Sequence, residues 1–96
     1  MYKIDVFYND DDLLLAIEWD ESIPYLHHHF YNWSPSILKK TIKHFNELVE
    51  YLKIQGCDEL WSYYDKDQVH VDKFCVKFGF TKVGETETQN IVLKEI

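Results

Sequence analysis

From Ser34 to Gln55 the chain carries an unbroken amphipathic stretch, longer than a strand and more regular than a loop. Leu38, Ile42, Phe45, Leu48, Val49 and Leu52 recur at three- and four-residue spacing, while Lys39, Lys40, Lys43, Asn46, Glu47, Glu50 and Lys53 mark the opposite side. Ser34 is placed to cap free amides. Pro35 is tolerated in the first turn, where its missing N–H costs nothing, and Gly56 closes the helix. A helix this one-sided needs an apolar sheet to lie on, and the rest of the chain has to supply it.

The segments on either side read as that sheet. Tyr2 to Tyr8 alternates, with Tyr2, Ile4, Val6 and Tyr8 on one face; Asn9 to Asp12 supplies a turn, and Leu13 to Trp19 is a nearly continuous apolar strand. The short connection predicts an antiparallel hairpin. Asp20 to Trp33 is ambiguous, because Pro24 disfavours regular structure and Tyr25 to Tyr31 fits a further strand or an extended loop. If it is extended, His27 and His29 project to one face and His28 to the other. After Gly56, Asp58 to Tyr64 is an aromatic strand, and the long helix before it fits a parallel crossover.

A second helix follows from Asp67, its expected N-cap, to Phe78. Phe74, Cys75 and Phe78 share a face, and Gly79 sits where a left-handed cap would end the helix before Phe80 opens a strand. Phe80–Glu85 and Asn90–Ile96 are the terminal strands, and Trp61 and Phe74 are expected inside. The whole, residues 1–96, reads as one α+β domain with a mixed sheet and two packed helices, in the order strand, strand, helix, strand, helix, strand, strand.

Charge and cysteine usage narrow the function classes. The formal net charge is −7 and arginine is absent, which argues against a sequence-independent nucleic-acid binder and favours a partner with a basic surface. Cys57 and Cys75 form no Cys-x-x-Cys pair, so both are expected reduced, in the cytoplasm. The N-terminus lacks an apolar run of signal-peptide length, and none of the chain reads as membrane-spanning. His27 and His29 could ligate a metal or supply a general base, but no acidic or cysteine ligand stands near them in sequence, and no metal is expected.

The frame Gln68-x-x-Val71-x-x-Phe74-Cys75-x-x-x-Gly79-Phe80 resembles the Asn-x-x-Ala-x-x-Phe-Tyr-x-x-x-Gly-Phe signature of the GCN5-related N-acetyltransferase (GNAT) superfamily. The element order from Leu13 onward is similar to the C-terminal two-thirds of that fold, without the family's N-terminal strand and helices. Short chains of this kind resemble the small GNAT-like proteins of bacteriophages, which would put the chain in the host cytoplasm. The resemblance implies acetyl-CoA as cofactor, its pantetheine arm in a splay between two parallel strands, here the Leu13–Trp19 and Asp58–Tyr64 strands, and its pyrophosphate on amides at the start of the long helix.

On this chain those amides are Ser36, Ile37 and Leu38, with Lys39 and Lys40 as phosphate partners and Gln68 at the family's asparagine position. The family's Gln/Arg-x-x-Gly-x-Gly/Ala phosphate loop has no counterpart between Tyr31 and Thr41, which holds no glycine. Cys75 stands where many members carry a tyrosine acid, and Glu18 or a histidine, His27 or His29, could deprotonate an attacking amine. Two functions follow from the resemblance: an acyl-CoA-dependent N-acyltransferase with a degenerate cofactor loop, acetylating an amine substrate, or a non-catalytic binding or assembly protein that holds a protein partner on an acidic, aromatic surface. Uncovered strand edges also predict a homo-oligomer.

Overall fold

A computed structural model describes residues 2–96, apart from the side chains of Tyr2 and His70. The elements are β1 (Tyr2–Asn9), β2 (Leu13–Asp20), β3 (Ile23–Phe30), α1 (Pro35–Ile54), β4 (Glu59–Asp65), α2 (Val69–Lys77), β5 (Thr81–Glu85) and β6 (Gln89–Glu95). The α+β class, the mixed sheet and the two helices agree with the sequence reading. The number of strands before α1 does not: there are three, because the ambiguous segment is β3.

Two features make β3 a strand. A two-residue turn at Glu21 and Ser22, with Glu21 at φ 57, folds it directly back on β2, so that Asp20 faces Ile23. Pro24 is only the second residue of the strand, ahead of its pairing with β4, where a missing N–H is best tolerated. The sheet order is β1-β2-β3-β4-β6-β5. The parallel pair joined by α1 is therefore β3 and β4, not the Leu13–Trp19 strand and β4; β2 runs antiparallel between β1 and β3.

The register sorts side chains into two faces. Leu13, Leu15 and Ile17 of β2, Leu26 of β3, Leu60 and Tyr64 of β4 and Val92 of β6 join Phe45, Leu48, Val49 and Leu52 of α1 and Phe74 and Cys75 of α2 in one core. Both helices thus lie on the same side. The residues between them in the strands, among them Leu14, Glu18, Tyr25, Trp61, Tyr63 and Ile91, take no part in that core and form an uncovered face. Trp61, expected inside, belongs to this outer face and is half-buried, whereas Phe74 is 3% exposed. Since strand residues alternate, Leu60 and Ser62 take the inner positions and Trp61 cannot.

Local details follow from the same packing. Ser34 Oγ accepts from the Ile37 amide at 3.2 Å, as a serine cap should. The second helix begins later than expected, with Gln68 rather than Asp67 at the N-cap position and no side-chain bond there. Gly56 and Gly79 both take positive φ, 87 and 84, and end their helices. In β1 the alternation breaks at Phe7, where two residues face one on β2; after this bulge Tyr8 stacks on His44 of α1 with centroids 3.8 Å apart, so it does not share a face with Ile4 and Val6. The Tyr2 side chain, placed with Ile4 and Val6 on sequence grounds, lies outside the described residues. Among the described residues no helix is long and apolar enough to cross a membrane.

Candidate functional site

Strands β3 and β4 pair only at Tyr25–Trp61 and Leu26–Ser62, and Ser62 Oγ closes this junction by donating to the Leu26 carbonyl at 3.0 Å. Beyond it the two strands diverge around a cleft of about 830 Å³. His27, His29, Tyr63 and Asp65 reach it from the outer face, His28 and Tyr64 from the helix side, and Gln68 from the start of α2. His28 stacks on Phe74 at 5.4 Å, and its Nδ1 has no hydrogen-bond partner. Burial, reinforced by His27 and His29, pushes its pKa down to about 4, so the ring is neutral at pH 7.

The first turns of α1 face the hairpin between β1 and β2. Here the Ile37 amide is taken by Ser34 Oγ, the Leu38 amide by the Ser34 carbonyl at 3.0 Å, and the Ser36 hydroxyl lies 2.9 Å from Ser34 Oγ. Lys39 points to water. Lys40 does not: its ammonium donates to Asp10 at 2.6 Å and to Asp12 at 2.8 Å. Asp10 also accepts from the Asp12 and Leu13 amides, and Asn32 donates to Asp12, so the hairpin tip is folded onto the helix by its own carboxylates. The Lys40 ammonium, then Tyr8, holds the Asp10 carboxyl far below the usual range; Lys40 and Asn32 lower Asp12, and both carboxylates raise Lys40. The cation best placed to meet a phosphate is already paired.

The candidate catalytic side chains are scattered. Glu18 faces Tyr25 across β2 and β3, whereas His29 faces Leu14, four residues further along β2 and so roughly 13 Å away at a strand's rise per residue. Cys75 is 1% exposed within the core, and burial, then Asp72, raises its thiol to about 12. In that setting it packs as a small apolar group. Tyr64 donates to Asp72 at 2.6 Å, and burial followed by this bond keeps its hydroxyl protonated. His27 and His29 share the outer face with Glu18, as extended geometry requires, but nothing gathers them: among the described residues no group of three His, Cys, Asp or Glu side chains could hold a metal ion.

A different constellation forms on the outer face at the junction. The Tyr25 ring lies 6.3 Å from Trp61 and 6.2 Å from Tyr63, with interplanar angles of 37° and 65°. The Tyr63 hydroxyl reaches over β3 to donate to Glu18 at 2.9 Å. Together with Asp20, Gln89 and Ile91 these groups line a depression of about 380 Å³. Alternating aromatics at Trp61 and Tyr63 were visible in the sequence, but their partner Tyr25 follows only from the β3–β4 register. No family model, no curated protein and no solved structure matches this chain.

Proposed function

We propose that this chain is a non-catalytic binding or assembly protein on a GNAT-like fold, and that its uncovered sheet face holds a protein partner. The observation that carries the reading is the placement of both helices on one side. The opposite side offers water Ile4 at 57%, Val6 at 62%, Ile23 at 43% and Tyr63 at 38% exposure, large apolar side chains interleaved with Glu18 and Asp20. Exposed apolar groups clustered on one face with a polar rim mark interaction sites, and the acidic balance of the chain favours a basic partner.

The start of α1 supports the same reading. An acyl-CoA pyrophosphate there would meet the Ile37 and Leu38 amides already committed to the Ser34 cap and the helix, and two carboxylates that occupy Lys40, so these residues do not fit the group. The β3–β4 cleft favours a second reading, the degenerate N-acyltransferase, because a parallel pair that splays after a short junction is what the GNAT resemblance implies for a cofactor arm. Its weakness is the same helix start.

The test is capture of interacting protein from the chain's native cell extract. Wild type is compared with a Val6→Asp, Tyr63→Asp variant whose circular dichroism matches it. A stoichiometric protein retained by wild type and lost from the variant is the expected result. Equal retention by both chains, or none by either, overturns the reading.

A further inference from the structure

The depression framed by Tyr25, Trp61 and Tyr63 has a composition that selects a ligand. Two or more aromatic faces within about 6 Å of a common point attract a cation through the negative face of each ring, and neighbouring carboxylates add to that field. Here three rings surround the space, and Glu18 and Asp20 stand at its edge. Glu18 is half-buried as a residue, and its carboxylate accepts from the Tyr63 hydroxyl in a solvent-exposed hydrogen bond that orients it before any ligand arrives. Among the described residues no lysine or histidine forms an ion pair with Glu18 or Asp20, in contrast to Asp10 and Asp12, whose charge Lys40 answers. Ile91 on the neighbouring strand provides apolar floor for an aliphatic stem.

We infer that this depression is a binding site for a cationic side chain, the ammonium of a lysine or the guanidinium of an arginine, presented by the partner. The inference rests on the proposed binding role of the same face and names its chemistry. The stem of the side chain lies against Tyr25, Trp61 and Ile91, and the charged head approaches Glu18 and Asp20. Such side chains bury the stem and keep the head at the polar rim. Arginine stacks on aromatic faces and can take a carboxylate in bidentate fashion, whereas lysine offers a compact point charge.

The probes are Nα-acetyl-lysine N-methylamide, the arginine equivalent and the uncharged norleucine equivalent. Each is titrated into the full chain while the Trp61 indole N–H and the Tyr25 and Trp61 amides are followed by NMR. Saturable shifts at these groups with the two cationic probes, and an affinity about tenfold lower for norleucine, are expected from loss of the cation–π and carboxylate attraction. Glu18→Gln, which keeps an acceptor for the Tyr63 hydroxyl, should weaken the lysine probe while leaving norleucine unchanged, and Trp61→Leu should weaken both cations. Equal response to norleucine, shifts centred elsewhere, or indifference to Glu18→Gln would overturn the assignment. Because small probes read the depression alone, a chain that ignores them yet still captures its partner through this face would refute the cation site and leave the binding role standing. Saturation by the probes with no partner captured would do the reverse.

Discussion

His28 shows how one residue's surroundings set a property that its sequence neighbours do not share. Its pKa falls from 6.5 to about 4 through burial against Phe74, with His27 and His29 adding repulsion, so between those values the unfolded chain binds the proton that the folded chain refuses. Its contribution is complete above pH 6.5 and is lost as pH falls toward 4. Lowering pH from 7 to 5 should therefore cost about 2 kcal/mol in urea unfolding, and His28→Phe should flatten that slope. An unchanged slope would place the ring in water. Glu21 offers a second residue-scale test: at φ 57, with a negative φ following, it occupies the first centre of a turn that prefers glycine, so Glu21→Gly should raise stability by about 0.5–1 kcal/mol in thermal unfolding. The separation of His28 from His27 and His29 was legible as alternation, but neither the burial of His28 nor the turn was. Three consecutive histidines differ only once the strand's inner and outer faces are known, and the turn emerges only when β3 is recognised.

Among the elements, α2 is the one that closes the core. Phe74 meets the rings of His28 and Phe30 on β3, Phe45 on α1 and Phe78 at the end of its own helix, so Phe74→Ala would open a cavity bounded by two other elements and should cost about 3–5 kcal/mol, read as a lower denaturation midpoint. Both helices and most of their ends were readable in sequence because their signals are local: Ser34, Pro35, Gly56 and Gly79 each act within one turn, and only the N-cap expected at Asp67 falls at Gln68. Strand neighbours were not, since pairing is decided by residues far apart in the chain. Thus Trp61 looked like core, although alternation gave its inner places to Leu60 and Ser62. The edges carry a further consequence. β1 and β5 are the outermost strands, and each is bulged, at Phe7 and at Val83, which disrupts the ladder that another chain would extend. The proposed binding role therefore uses the open face rather than these edges.

At the scale of the whole molecule, the start of the long helix and the uncovered sheet face differ in how their carboxylates are answered. The helix start that a GNAT-like cofactor would use is closed by the chain's own Asp10–Lys40–Asp12 contacts, while on the uncovered face Glu18 and Asp20 form no ion pair among the described residues. The missing glycine loop was visible in the sequence; the aspartate clamp was not, because it joins residues about thirty positions apart, as Lys40 and Asp10 are. The measurement that tests this account most directly is calorimetric titration of the chain with acetyl-CoA. Wild type should give no saturable heat at cofactor concentrations up to about 1 mM, since losing two charge-assisted phosphate contacts removes about 3–6 kcal/mol of affinity. Stoichiometric binding at low micromolar concentration, abolished by Lys40→Ala, would contradict the account and favour the acyltransferase reading.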